Sequence, residues 1–349
     1  MNQEIMDNVT VVPAIAEQPE DTLHPVIFFL MWFNVLLTGG FNLITIIAYL
    51  SSKEIRNNPG NIYILNLAFA DAKVGLISLP FFNLWWHYGI WTYGEILCKF
   101  WIVVDYTAVT QSMVAIIIIS WDRLWMVSQI NTYMKNQTTR LAILLIVSTW
   151  TLWYVYYICI VAFGEQAAPE YHIDYSNDCD LHINYLLNYT IYEIVALYLV
   201  PLLIIACINL RIYVLVRRRL AAGRSEIALK NRKAAITLAI LVAAYFICWT
   251  PYHIVLLMET IQEGSVPYPV VAFVEYLLWL NSTVNPFVYV CTNPLFRKQL
   301  RKMFCCRRMS WHKSSYWNES PERSTQKSQS GSSQLGSQTN KQIIASSEM

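Results

Sequence analysis

Two ionisable residues, Asp105 and Arg123, stand 18 positions apart in one apolar stretch of the chain. Eighteen residues make about five helical turns, so both side chains fall on one face of a helix, roughly 27 Å apart along its axis. That is close to the thickness of a bilayer's hydrocarbon core. Ionisable groups inside a membrane are costly to bury and mark functional positions by default. The pair describes a helix that meets a cation near its outer end and a partner near its inner end.

Elements able to hold such a pair are plain in the composition. Of 349 residues, 56% are hydrophobic and 13 are tryptophan, which is too apolar for a soluble protein of this size. Runs of membrane-spanning length recur at about 26–50, 61–86, 99–127, 140–163, 190–216, 234–260 and 268–292. The expected fold is an all-α membrane protein, a seven-transmembrane helix bundle. A large soluble helical core would show polar faces that these runs lack.

Charge placement orients the bundle. The net charge of +2 says little. However, residues 1–52 and the loops at 87–97, 164–188 and 261–269 contain no Lys or Arg, whereas the opposite loops carry Lys53, Arg56, Lys135, Arg140, Arg217, Arg218, Arg219, Arg224, Lys230, Arg232 and Lys233. Basic loops stay cytoplasmic, so the N-terminus is outside and the C-terminus inside, at the plasma membrane. The first residues lack a basic start and an apolar core, so the first span is expected to serve as the anchor without a cleaved signal. The basic residues are membrane-proximal, which argues against nucleic-acid binding and for contact with membrane lipid.

Of eight cysteines, only Cys98 and Cys179 fall on the outer side, where disulfides persist, and a bridge between them is expected. Cys305 and Cys306 follow a short amphipathic stretch, from Pro294 to residue 306, that reads as an eighth helix. Adjacent cysteines there read as palmitoylation sites. Asn8-Val9-Thr10 lies in the acidic outer tail (1–24) and is the expected glycosylation acceptor. Residues 25–293 form the membrane domain, and 307–349, rich in Ser, Gln and Lys, form a cytoplasmic tail expected to be disordered.

Short motifs fall in order along the spans: Asn42; Asn66-Leu-Ala-Phe-Ala-Asp71; Asp122-Arg123; Trp150; Pro201; Cys248-Trp249-Thr250-Pro251-Tyr252; and Asn285-Pro286-Phe-Val-Tyr289. As an ordered set they resemble the rhodopsin-like G-protein-coupled receptors, over about residues 26–306. The resemblance implies coupling to heterotrimeric G proteins through Asp122, Arg123, Asn285, Pro286 and Tyr289. It also implies receptor kinases and arrestin at the Ser/Thr-rich tail, and an allosteric sodium ion held by Asp71, Ser112, Asn281, Ser282 and Asn285; no other cofactor is expected.

Asp105, five turns above Arg123, matches the place where aminergic members hold a ligand ammonium. Tyr106, Trp249, Tyr252, Tyr276 and Trp279 would complete an aromatic cage around a small amine ligand, with Glu193 and Glu275 as further acids. Within the amine receptors, Leu278-Trp279 and Asn209-Leu-Arg-Ile-Tyr213 look most like the third and fourth histamine subtypes, and the Asp-Tyr and Trp-Thr-Pro-Tyr pairings also look muscarinic. The reading is a histamine-like amine receptor of the inhibitory G-protein type. The alternatives are a muscarinic-like acetylcholine receptor or a receptor for a small basic peptide, drawn by the acidic outer loop (Glu165, Glu170, Asp174, Asp178, Asp180).

Rival classes fare worse. A transporter would show internal repeats, an enzyme a converging nucleophile and base, and an opsin a lysine where Trp279 stands. Departures from the family pattern are Phe41, the mid-span Lys73 (expected to snorkel or meet a lipid phosphate), Leu124, Tyr245, and Asn231 in place of an acid.

Overall fold

The computed structural model describes residues 10–11, 25–222, 225–262 and 264–309, with the backbone alone for 10–11, 225–234, 268, 289–292 and 305–309. Asn8 and the tail from 310 lie outside the described residues, as do the side chains of Asn231, Tyr289, Cys305 and Cys306. The chain divides into two units, Met1–Phe304 and Cys305–Met349, and every span lies in the first.

The spans are α1 (Pro25–Ser51), α3 (Asn61–Tyr88), α4 (Gly94–Ser128), α6 (Thr139–Ala167), α7 (Leu187–Ala221), α8 (Ser225–Ile261) and α9 (Tyr268–Thr292). Short helices α2 (Lys53–Arg56) and α5 (Ile130–Asn136) lie in the first and second inner loops, and α10 (Pro294–Met309) follows the last span. Six of the seven spans are long and apolar enough by composition to cross a membrane; α9 is 25 residues long. α7 and α8 run well past the membrane boundary, as the short connection between them requires. Outside, Thr10–Val11 pairs in parallel with Tyr171–His172, a two-residue sheet that periodicity could not reveal.

Polarity is arranged for lipid. Leu36, Leu144, Leu203 and Phe273 are exposed on the outside of the bundle, whereas Asn42, Asp71, Gln111 and Asn285 are wholly buried within it. Apolar side chains gain nothing by leaving lipid, so interhelical hydrogen bonds and close packing carry the association. Three clusters fill the interior. The inner one gathers Leu67, Ile116, Ile205, Leu241 and Phe296, the middle one Met113, Tyr198, Tyr245 and Trp249, and the outer one Leu79, Phe82, Trp91, Trp101 and Trp279.

Prolines shape four of the spans, among them α8 at Pro251. A helical proline lacks the N–H that would bond the carbonyl four residues back and crowds that carbonyl. Before Pro80 the backbone widens into a π turn at Val74–Ser78, and before Pro201 into a π segment at Glu193–Leu199. The carbonyl freed by Pro201 is that of Leu197, and it accepts the Tyr245 hydroxyl at 3.4 Å. This gives the departure at Tyr245 a role, since a phenylalanine could not donate there. The carbonyl freed by Pro286 is that of Ser282, and Asn42 Nδ2 donates to it at 3.1 Å. Two of the family motifs are thus one hydrogen bond.

Candidate functional site

Asp105 sits on the inward face of α4, 7% exposed, and accepts a hydrogen bond from Trp279 Nε1 at 3.2 Å across the bundle. The Trp279 ring stands edge-on to Phe82, centroids 4.3 Å apart. The expected anchor and one wall of its cage are therefore in contact. Trp249 lies in the middle cluster beside Tyr245, at 4.7 Å, and in line with His253, at 5.9 Å. Its indole nitrogen is buried without a partner. His253, which motif reading passed over, stacks on Tyr198 at 4.3 Å and places Nδ1 2.8 Å from the Trp249 carbonyl. Tyr276 departs from expectation. Its ring joins the outer cluster, but its hydroxyl donates to the Met31 carbonyl of α1 at 3.1 Å, so its polar end braces helices rather than lining the cage.

The outer loop supplies a wall that sequence reading did not place. Cys98 and Cys179 form the expected disulfide, Cα atoms 5.5 Å apart. The bridge fixes the loop to the top of α4, and the next residue, Asp180, is carried in among the spans. Its carboxylate accepts from the Leu181 N–H at 2.7 Å and from Asn184 Nδ2 at 2.6 Å. Asn184 also donates to the Tyr106 hydroxyl at 3.1 Å, tying the loop to the residue beside Asp105. Burial, and secondarily the neighbouring Asp178, pushes the Asp180 carboxyl up to about 7.

Glu193 and Glu275 belong to the same space. Glu275 is repelled by both Asp180 and Asp105, and Glu193 by Asp180. Tyr252 feels Glu193, Glu275 and Asp180 together. Asp180, Glu193, Tyr252 and Glu275 are each partly exposed. Asp180 joins the three acids that sequence reading counted. Asp180 had been grouped with the solvated loop acids, although its position next to Cys179 was the available signal.

Below the pocket, Asp71 accepts from Ser112 Oγ at 2.7 Å and from Asn285 Nδ2 at 2.8 Å, and Ser282 bonds to it as well. The amide oxygens of Asn281 and Asn285 are buried with no donor facing them. A buried carboxylate beside an unsatisfied oxygen fits a small hard cation, and four of the five residues expected to hold sodium, Asp71, Ser112, Ser282 and Asn285, are in direct contact.

At the inner end Arg123 is held loosely. Its Nε stands 3.8 Å from Asp122, and its Nη1 reaches Met126 Sδ at 3.9 Å. The Asp122 carboxylate is engaged elsewhere, by the Tyr133 hydroxyl of α5 at 3.1 Å and by Gln137 Nε2 at 3.2 Å. The hold of Asp122 on Arg123 is thus weak and shared with the second inner loop.

Two departures find their reasons. Lys73 turns into an aromatic cage. Its ammonium lies over the rings of Trp150, Tyr154 and Phe69, at 4.5, 4.8 and 5.3 Å, and donates to the Tyr154 hydroxyl. Such a cage offsets desolvation in mid-span. Phe41 packs on Phe287 of α9, centroids 4.7 Å apart.

Comparison with known proteins agrees with this geometry. Residues 41–289 match the family described as 7 transmembrane receptor (rhodopsin family). The chain is 26% identical over 351 residues to the 5-hydroxytryptamine receptor 1B of Didelphis virginiana, covering 80% of this chain and 88% of that protein. It is 25% identical over 344 residues to the Mus musculus receptor of the same name, covering 78% and 87%. Against the one from Homo sapiens it is 24% identical over 370 residues, covering 85% and 92%. Seven spans, a disulfide-tied outer loop, a buried acid in the outer half and an arginine at the inner end of α4 accord with that match: the chain belongs to the rhodopsin family of G-protein-coupled receptors, multi-pass proteins of the plasma membrane that are receptors rather than enzymes.

Proposed function

We propose that this receptor responds to a small biogenic amine whose ammonium pairs with Asp105. The observation that carries the reading is the buried Asp105 carboxylate facing Trp279 and an aromatic floor, with no described Lys or Arg acting on it. A carboxylate in a partly dry site gains more from a cation than it would in water. The 5-hydroxytryptamine receptors among its relatives point the same way, and make an indoleamine the second reading beside a histamine-like ligand.

Signalling is a population shift between two packings, driven by tighter agonist binding to one of them. Agonist pressing on Trp249 and Tyr252 biases α8, which can pivot at Pro251, where the helix lacks a backbone bond. The inner end of α8 then moves outward and frees Arg123 for a heterotrimeric G protein of the inhibitory type. Sodium held by Asp71, Ser112, Asn281, Ser282 and Asn285 favours the inactive packing. Asn8 glycosylation, Cys305 and Cys306 palmitoylation, and kinase and arrestin binding at the tail complete the proposal.

Asp105→Asn tests it. Asparagine keeps an oxygen for the Trp279 N–H, so surface expression should persist. Loss of the charge should lower amine potency at least about a hundredfold, corresponding to roughly 3 kcal/mol. The readout is cAMP and calcium in cells challenged with histamine, serotonin and acetylcholine. Unchanged potency at normal expression would end the aminergic reading.

A further inference from the structure

A cleft of about 490 Å³ lies between the outer halves of α4 and α6. Its walls are Phe100 and Val103 of α4 and Ile158 and Val161 of α6. Phe100 and Ile158 are about half exposed, whereas Asp105, on another face of α4, is buried. The cleft therefore opens outward, to lipid, and is separate from the amine site. Its polar groups gather at one end. Lys99 and Glu165 are its charged lining residues, and His182 of the outer loop closes the top. α4 descends from the outer side and α6 rises toward it, so Val103 lies about 6 Å below Lys99 and Ile158 about 10 Å below Glu165. The rim thus stands at the headgroups and the walls at the acyl chains. Tyr175, its ring beside Lys99, fits that level, where aromatic side chains gather.

Both rim charges have capacity to spare. The Lys99 ammonium donates to Glu95 and lies over the Tyr175 ring at 5.3 Å, yet its side chain remains 34% exposed. An ammonium carries three donors, so contacts are left over. None of the ion pairs among the described residues includes Glu165, which is exposed. Burial holds the His182 imidazole below its ordinary range, so at neutral pH the lining carries one cation and one anion. An occupant must match that separated pair above an apolar slot. A sterol offers a single hydroxyl, and a fatty acid offers an anion alone. A zwitterionic phospholipid carries a phosphate and a quaternary ammonium on one headgroup, with acyl chains beneath.

We propose that this cleft binds one outer-leaflet phosphatidylcholine, with its phosphate on Lys99, its choline at Glu165, and an acyl chain between the Phe100–Val103 and Ile158–Val161 walls. His182 belongs to the site, and Asn184, two residues on, bonds both Asp180 and Tyr106. The bound lipid therefore steadies the outer loop from the membrane side. The inference does not depend on which ligand Asp105 receives.

The test is native mass spectrometry of the full receptor, purified in detergent and exposed to equimolar palmitoyl-oleoyl phosphatidylcholine, the matching phosphatidylglycerol and diacylglycerol, and cholesterol. Phosphatidylcholine should be retained at least about threefold over phosphatidylglycerol, which lacks the ammonium, as befits one partly exposed ion pair. Glu165→Gln, which breaks no ion pair among the described residues, should erase that preference. Lys99→Met should lower retention of both phospholipids toward that of diacylglycerol. Ile158→Trp, at a position already half exposed, should fill the slot and abolish the selectively retained lipid. Phosphatidylglycerol or diacylglycerol held as well as phosphatidylcholine would overturn the proposal. So would cholesterol displacing phosphatidylcholine from wild type, which would make the cleft a sterol site, and so would selective retention unchanged in Ile158→Trp, which would move the lipid to another surface.

Discussion

The glycine contact between α1 and α3 predicts a graded series of substitutions. A Cβ built on Gly75, in the π turn of α3, would lie 2.3 Å from the Gly39 nitrogen and 2.7 Å from its Cα, both backbone atoms of α1. Ordinary contact begins near 3.4 Å, so Gly75→Ala must separate the two helices by about 1 Å. A gap of that size forfeits about a quarter to a half of the dispersion along the crossing, and overpacking typically costs about 1–3 kcal/mol. Backbone cannot rotate aside, so the upper end applies, and the midpoint of unfolding should fall by roughly 5 °C. Gly39→Ala meets only the tip of Leu76, at 2.9 Å, and that side chain can yield. Gly40 has nothing within 4 Å, so Gly40→Ala should be neutral or stabilise by up to about 1 kcal/mol through helix propensity. The assay is thermal unfolding of receptor purified in nanodiscs, alongside surface expression. The expected order of stability is Gly40→Ala, wild type, Gly39→Ala, Gly75→Ala. A Gly75→Ala protein as stable as wild type would refute the claim that this crossing has no room.

Three further outcomes are expected. Asp180, with its carboxyl near 7, is mostly protonated at pH 6 and mostly anionic at pH 8; Asp178 repels its charge, whereas Asn184, Tyr185 and the Leu181 N–H donate hydrogen bonds to it. A carboxyl raised by folding favours the folded state below that value, so the midpoint of thermal unfolding should be lower at pH 8 than at pH 6; Asp180→Asn should flatten the profile, and a slope unchanged in the variant would move the titration to another group. Basal G-protein activation should exceed that of empty membranes at matched receptor density, because Arg123 lacks an acid at position 231 and has only the 3.8 Å contact with Asp122. Asn231→Glu should lower it severalfold, and no change would show that packing alone restrains Arg123. Raising sodium against an N-methylglucamine control should also lower basal activity. Asp71→Asn, which removes the carboxylate of the cation site, should abolish that response.

Sequence reading succeeded wherever a signal was local or periodic. Span length, loop charge and the cysteine pair each depend on one stretch of chain or on which side of the membrane a residue falls, and the bundle confirms the seven spans and the Cys98–Cys179 bridge. What could not be read depends on where a backbone departs from the 3.6-residue period. The π segment at Glu193–Leu199 alters the helical register within α7, so counting turns could not say which way Glu193 faces. The structure closes Leu197 into the bundle at 8% exposure and sets Glu193 against Asp180. Tyr276 failed for a related reason: its helix face was right, but the carbonyl that claims its hydroxyl belongs to α1, more than two hundred residues away in the chain.

The same logic explains why the acid of the outer loop matters more than its sequence context implied. A loop acid is ordinarily solvated, and five acids in one loop read as a diffuse field that could attract any cation. The loop removes that freedom for two of them: Asp178, buried, accepts from the Cys179 N–H at 2.7 Å, and Asp180 accepts from Asn184. The bridge holds Cys179 against the top of α4, and the turn at His182–Tyr185 returns the chain so that Asn184 bonds both Asp180 and Tyr106. The acids that steer a cation toward the receptor and the acids held in place are thus parts of one loop, separated by which residues the bridge pulls inward. Steering is screened by salt within a Debye length, whereas a contact inside the pocket is screened much less. Raising ionic strength from about 0.05 to about 0.3 M should therefore slow association of an amine agonist severalfold, and replacing the exposed acids Glu165, Glu170 and Asp174 by their amides should remove most of that dependence. Asp180→Asn should leave the salt dependence in place, because its carboxylate is engaged by Asn184 and the Leu181 N–H. An equal loss of salt dependence in Asp180→Asn would place it in the outer field with its neighbours.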